Sequence, residues 1–131
     1  MDRQEYRVTQ LAEPVSHYTD LVRYGDLVFL SGAGPVDANG RLTGGNDVAA
    51  QSRQVFENIK TMLEAVGADF RDILKVTVYV ADIEDREAID QIRREYFGDS
   101  RPASTLIEIS SFVFPGMKLE VEAVVGLRSA P

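Results

Sequence analysis

Apolar and polar positions change period several times along the chain, and each change marks an element. Leu27-Val28-Phe29-Leu30 is a short apolar run behind the turn formers Tyr24-Gly25-Asp26, and Leu21-Val22 can pair with it across that turn as a hairpin. Gly32 to Gly45 has no apolar period; its Asn39-Gly40 and Gly44-Gly45 pairs predict a loop or a second tight hairpin. From Val48 the spacing becomes helical. Val48, Val55, Ile59, Met62, Leu63 and Val66 fall on one stripe, and Gln51, Arg53, Glu57, Lys60 and Glu64 cover the remainder. Asn46 or Asp47 can accept hydrogen bonds from the free N–H groups at the start of this helix, and Gly67 can take the left-handed conformation that ends it.

Alternation returns at Ile73 to Val80, where Leu74, Val76, Val78 and Val80 are expected to face the core. A second helix is predicted from about Glu84 to Phe97, capped by Asp82 or Asp85, closed by Gly98, with Ala88, Ile89, Ile92 and Tyr96 as its apolar stripe and a charged outer face. Two strands follow, Ser104 to Ser110 and Lys118 to Val125, separated by a loop holding Phe112, Phe114 and Pro115-Gly116. In the last strand Leu119, Val121, Ala123 and Val125 share one face, so Glu120 and Glu122 point to the other. The order strand, strand, helix, strand, helix, strand, strand predicts an α+β layer: one sheet with both helices packed on a single face. No repeat or linker interrupts residues 1–131, which are read as a single domain.

Composition narrows the function classes. The chain has 131 residues and a formal net charge of −7 with no basic run, which argues against a nucleic-acid partner, since phosphate contacts depend on clustered Lys and Arg. It has no cysteine, which removes thiol nucleophiles, disulfides and thiolate metal sites together. The single histidine, His17, rules out a two-histidine metal site, so no metal is expected. Met1 to Arg7 is polar, and no stretch approaches the apolar length needed to span a bilayer; a cytoplasmic location and no membrane partner are expected.

Few motifs carry chemistry by themselves. Gly32-Ala33-Gly34 follows a strand, but Pro35 comes next and no helix begins for about a dozen residues, so no helix N-terminus is aimed at a phosphate there. A tight strand exit is the expected role. His17 reads as a hydrogen-bonding or surface residue, and Arg93, Arg94, Arg101 and Asp90 as solvated or paired charges. Glu120 is different in one respect. Helices on one face leave the other face of the sheet uncovered, and a small protein often hides such a face against copies of itself. A glutamate caught at that seam loses water, and its pKa rises toward the range useful for proton transfer.

A set of short segments then occurs in order from about Glu13 to Val125: His17-Tyr18-Thr19, Phe29-Leu30-Ser31-Gly32, Gln51 with Asn58, Leu63-Glu64-Ala65-Val66-Gly67-Ala68, Val76-Thr77-Val78-Tyr79-Val80, Pro102-Ala103-Ser104-Thr105 and Leu119-Glu120-Val121-Glu122-Ala123. As a set they resemble the RidA/YjgF/UK114 family of reactive-intermediate deaminases. The resemblance implies a chorismate-mutase-like fold with a mixed, mainly antiparallel sheet, assembled as a homotrimer with clefts between subunits. It also implies cofactor-free hydrolysis of small enamines and imines, such as 2-aminoacrylate and 2-iminobutanoate, to 2-keto acids and ammonia. In that chemistry an arginine grips the substrate carboxylate while water attacks the imine carbon. Glu120 matches the glutamate that positions the water, and Tyr18 the tyrosine that lines the cleft. Ser31, Gly32, Asp90, Arg93, Ser104, Thr105 and Phe114 complete the expected substrate-binding set.

The departures are as informative. The family's Pro-Ala-Arg-Ser stretch is Pro102-Ala103-Ser104-Thr105 here, so Ser104 stands where the carboxylate-gripping arginine would be. A serine hydroxyl offers one neutral hydrogen bond in place of a charge-assisted bidentate contact, which weakens carboxylate binding by roughly a few kcal/mol unless another cation substitutes. Asp90 stands where many members have asparagine, Arg93 where many have tyrosine, and Leu106 where some have a cleft cysteine. Three functions follow as expectations: a RidA-like hydrolase with Glu120 positioning water and Arg93 or Arg101 restoring the anchor, or with a substrate lacking the carboxylate; a non-catalytic trimer that binds a small metabolite as sensor or scavenger; and, least favoured by the charge, the translation-inhibiting ribonuclease of some relatives.

Overall fold

The last strand of the chain lies in the middle of the sheet, and that placement organises everything around it. The computed structural model describes residues 2–128. Six strands, β1 (Arg3–Tyr6), β2 (Leu21–Tyr24), β3 (Leu27–Ala33), β4 (Ile73–Val80), β5 (Ala103–Glu108) and β6 (Leu119–Gly126), form one sheet in the order β1-β2-β3-β6-β4-β5. Only β4 and β5 pair in parallel; the other neighbours are antiparallel. Two helices, α1 (Val48–Glu64) and α2 (Arg86–Phe97), complete the expected α+β, chorismate-mutase-like architecture, and the parallel β4–β5 pair is joined through α2.

Local chemistry sets the elements. The β2–β3 register pairs Tyr24 with Leu27, leaving Gly25-Asp26 as a two-residue turn, and Gly25 takes φ 62°, which a side chain would disfavour. Asp47 caps α1, its carboxylate accepting from the backbone N–H of Ala49 at 3.0 Å and of Ala50 at 3.4 Å. The start of α2 differs from the expected Glu84: Asp82 caps a short 3-10 turn over Ile83–Asp85, and the α-helix begins at Arg86. The buried side of α2 is Ile89, Ile92 and Phe97, with Tyr96 half-buried beside them.

Val28, Leu30, Val76, Val78, Val80, Leu119, Val121, Ala123 and Val125 form the covered face of the sheet, packed against Val55, Phe56, Ile59, Met62 and Leu63 of α1 in one contiguous core. Phe56, Phe70, Tyr96 and Phe97 join the helices through aromatic contacts, the Phe70 and Phe97 rings being edge-on at 5.1 Å. On the surface above them Arg53 grips Glu95 with two bonds of 3.0 Å.

Three expectations are corrected. Leu74 does not face the core; it is 51% exposed, because a register shift between Ile73 and Lys75 puts Ile73 inward and Leu74 on the opposite face. Gln51 does not lie on the solvent side of α1 but is fully buried. The polar stretch Met1 to Arg7, where the pattern predicts no element, supplies β1, an edge strand held to β2 by backbone pairing with little apolar burial. The opposite face of the sheet carries Tyr24, Leu27, Phe29, Leu74 and Ile107, each 41–51% exposed. Among the described residues no helix is long and apolar enough to cross a membrane.

Candidate active site

Glu120 rises from the uncovered face of β6, directly opposite Tyr79 of β4. On its other side the pairing of β3 with β6 shifts between Leu30 and Ala33, so Ser31 and Gly32 lie in a bulge. Gly32 is there for a steric reason. A Cβ at that position would come within 2.8 Å of Glu120 Cδ, so the glutamate side chain lies across the bare backbone of Gly32. Burial pushes the Glu120 carboxyl above its usual range, and the neighbouring charge of Glu122 adds to the effect. Glu122 itself accepts a hydrogen bond from the Tyr79 hydroxyl at 2.7 Å.

Around Glu120 opens a cleft of about 500 Å³, lined by residues that include Tyr18, Ser31, Gly32 and Phe114. Tyr18 is half-exposed at its mouth, its hydroxyl oxygen accepting from the Val15 N–H at 3.3 Å. The Ser31 hydroxyl donates to the Thr19 carbonyl at 2.6 Å. One wall is the segment after β1, fastened by Asp20: its carboxylate accepts from Arg7 Nη1 at 2.6 Å and from the Val8 N–H at 2.7 Å. Arg7 also donates to the Leu11 carbonyl at 2.9 Å, which holds the segment in place.

Two carboxamides of α1 brace the cleft from beneath. Gln51 donates to the carbonyls of Gly45 at 2.8 Å and Gly116 at 2.9 Å, and accepts from the Lys118 N–H at 2.8 Å, which fixes the loop leading into β6. Asn58 donates to the carbonyls of Gly34 and Val36, at 3.0 and 2.9 Å, and so fixes the exit of β3. Sequence reasoning missed these roles although the signal was present. Gln51 and Asn58 lie three or four positions from Val48, Val55 and Met62, on the buried side of the helical period, where a carboxamide must find backbone partners.

A second recess lies between α2 and the start of β5, lined by residues that include Asp90, Arg93, Arg101 and Ser104. Arg93 is half-buried, its Nη1 donating to Ser104 Oγ at 3.0 Å while the guanidinium carbon lies 5.6 Å from the centre of the Phe97 ring. Burial lowers its pKa against the opposing pull of Asp90, but an arginine stays charged. Arg94 is paired with Asp90 at 2.8 Å, and Arg101 is exposed.

The sequence-predicted residues therefore fall into two groups. Tyr18, Ser31, Gly32, Phe114 and Glu120 share the first cleft; Asp90, Arg93 and Ser104 share the second. Thr105 lines neither, its hydroxyl accepting from Lys75 Nζ at 2.6 Å on the uncovered face of the sheet. His17 is exposed and lines neither recess. Among the described residues no cluster of three or more His, Asp or Glu has the geometry to hold a metal ion.

The comparisons agree with this architecture. The family described as Endoribonuclease L-PSP matches residues 9–126. A RutC family protein of Pyrococcus horikoshii is 37% identical over 86% of this chain and 88% of its own length. The human protein named 2-iminobutanoate/2-iminopropanoate deaminase is 31% identical over 84% of this chain and 80% of its own. The crystal structure of E. coli TdcF with bound serine superposes with a TM-score of 0.86 at 28% identity, covering 96% of this chain and 99% of that one. A match spanning nearly the whole sheet and both helices leaves one assignment: the chain belongs to the Endoribonuclease L-PSP family, the RidA/YjgF/RutC group.

Proposed function

We propose that the protein is a cofactor-independent hydrolase of small imines and enamines that carry a carboxylate, working in clefts between copies of a homotrimer. Glu120 is the catalytic residue and Arg93 the carboxylate anchor. The observation that carries this reading is the Arg93 Nη1–Ser104 Oγ contact of 3.0 Å. A guanidinium reaching from α2 rests on the position where the resemblance calls for an arginine on the strand, so the positive charge is moved between elements and not lost. Glu120 and Arg93 line separate recesses of one chain, so a substrate touching both needs a neighbouring copy. The exposed apolar side chains on the uncovered sheet face, Phe29 and Leu74 among them, support such an assembly. The relatives' names, a 2-imino acid deaminase and a protein with bound serine, point to small α-carboxylates.

The chemistry follows from the two groups. Arg93 of one copy holds the substrate carboxylate by charge-assisted hydrogen bonds. Water held by Glu120 of the next copy attacks the imine carbon; its oxygen bonds to that carbon while one of its protons passes to the Glu120 carboxylate and on to the imine nitrogen. The resulting carbinolamine loses its hydroxyl proton to Glu120, the same carboxyl protonates the amine, and the C–N bond breaks. One water is consumed, ammonia leaves, and a 2-keto acid remains. A raised Glu120 pKa makes the carboxylate a better base for the first transfer and a closer match to its protonated role in the second.

Hydrolysis of 2-iminobutanoate generated in place tests the anchor. Arg93→Ala is expected to raise KM roughly 10- to 100-fold, the loss of a hydrogen-bonded charge pair, and Arg93→Lys to recover part of it. Equal rates for wild type and Arg93→Ala would overturn the assignment. The replacement of the strand arginine by Ser104 favours one rival, a non-catalytic sensor or scavenger; binding of 2-oxobutanoate with no turnover of any imine would select it.

A further inference from the structure

Residues 7–20 run from β1 to β2 without helix or strand, and within them residues 11–15 and Tyr18 line the first cleft. This wall has little apolar packing to hold it. Val8 is its one buried apolar side chain, while Leu11 is half-buried and Val15 is exposed. Its ends close on β1, where the Tyr6 carbonyl accepts from the Asp20 N–H at 3.2 Å and from the Thr19 hydroxyl at 2.8 Å. Between those ends a single guanidinium gathers the segment. Arg7 Nη1 donates to Asp20 Oδ2 at 2.6 Å and to the Val8 carbonyl, and Nη2 donates to the Leu11 carbonyl at 2.9 Å and pairs with Glu13 at 3.4 Å. Arg7 Nε is left over: among the described residues it is a buried side-chain nitrogen with no hydrogen-bond partner, which folding alone does not favour. A planar fork that must reach Asp20 and the Leu11 carbonyl at once accounts for it.

Asp20 joins this wall to the floor of the cleft. Its carboxylate holds Arg7, and its backbone carbonyl accepts at 2.9 Å from the N–H of Ser31, the residue before Gly32, across which Glu120 lies. We propose that Arg7 is a positioning residue whose clasp on Asp20 and the Leu11 carbonyl fixes the wall of residues 11–18, so that substrate binds between a held wall and Glu120. Arg7 does not line the cleft and acts only through the segment it holds. The inference rests on the deaminase reading and adds a residue that sets KM without touching substrate. With the clasp removed, the segment opens on its own while the sheet stays folded, since few buried apolar contacts tie the two together. Binding then has to select the closed form, and apparent affinity falls by the fraction of molecules that are closed.

The test pairs hydrogen exchange with kinetics in Arg7→Ala. The Val8 N–H, which donates to Asp20 Oδ2, and the Leu11 N–H, which donates to the Val8 carbonyl at 3.0 Å, are expected to exchange about tenfold faster or more, while the amides of Val121 and Ala123 in β6 keep their wild-type rates. On 2-iminobutanoate generated in place, KM is expected to rise about tenfold with kcat within about twofold of wild type. Arg7→Lys keeps the charge beside Asp20 but has no fork to reach the Leu11 carbonyl; it should move both readouts in the same sense by less, and serves if Arg7→Ala does not fold. Unchanged exchange at Val8 and Leu11 would overturn the clasp, and equal acceleration in β6 would make Arg7 a general folding residue and overturn it as well. Faster exchange in the segment with an unchanged KM would refute the positioning role. If the wild type turns over no imine, the deaminase reading fails separately, and the exchange comparison alone decides whether Arg7 holds the wall.

Discussion

Successive residues of β6 occupy two different environments. Leu119, Val121, Ala123 and Val125 point toward the helices and are 0–4% exposed. Glu120 and Glu122, one step away along the backbone, point to the face that no helix covers. On the covered side every position answers to packing, where a volume error is felt at once. On the other side the protein leaves a carboxyl partly desolvated and without a hydrogen-bond partner among the described residues, an arrangement that does nothing for folding. The contrast teaches where to look for function in a small sheet: at the polar residue whose burial gains no stability.

Substitutions on the two faces should therefore separate folding from activity. Val121→Asp puts an unpaired charge at a position 1% exposed and should cost on the order of 3–5 kcal/mol, read as a collapse of the urea unfolding midpoint. Glu120→Gln should do the reverse, lowering turnover about 10²- to 10⁴-fold with no loss of midpoint. The sign follows from linkage. The folded pKa of Glu120 is raised, so the folded state binds its proton more tightly than the unfolded chain does. Its contribution to stability is then present at low pH and fades as pH rises from the unfolded toward the folded pKa. The glutamine variant removes that loss, and a lowered midpoint at neutral pH would contradict a desolvation penalty on this carboxylate. The smallest effect is expected from Glu122→Gln. Because the Glu122 charge helps to raise the Glu120 pKa, its removal should move the acid limb of the pH–rate profile to lower pH; an unmoved limb would show that the two carboxylates do not interact.

The covered face was legible in the sequence almost residue by residue, because alternation on β6 and helical spacing on α1 report a core directly. It failed where a local irregularity broke the count. The register shift at Ile73–Lys75 reverses Leu74, and a period-two reading has no means to see a one-residue slip. Gln51 was assigned to solvent by its polarity, although its spacing placed it inside and its three backbone partners stabilise it there. β1 carries no apolar signal because an edge strand can be held by backbone pairing alone. For the site, Glu120, Tyr18, Ser31, Gly32 and Phe114 line one cleft. Thr105 does not, since adjacent residues of a strand face opposite ways and only Ser104 reaches Arg93. That α2 would deliver a guanidinium to Ser104 depends on how a helix packs against a strand eleven residues later, which no local pattern encodes.

The central claim is that Glu120 of one copy and Arg93 of another make a single site, and subunit mixing tests it most directly. Glu120→Gln and Arg93→Ala proteins are unfolded together, refolded and assayed on the same imine at a concentration well below KM, where each alone retains little activity. If the site is built between copies of a trimer, random mixing restores about a quarter of the wild-type sites, those that pair an intact Glu120 with an intact Arg93 across a boundary. Activity no higher than the sum of the two variants would contradict it.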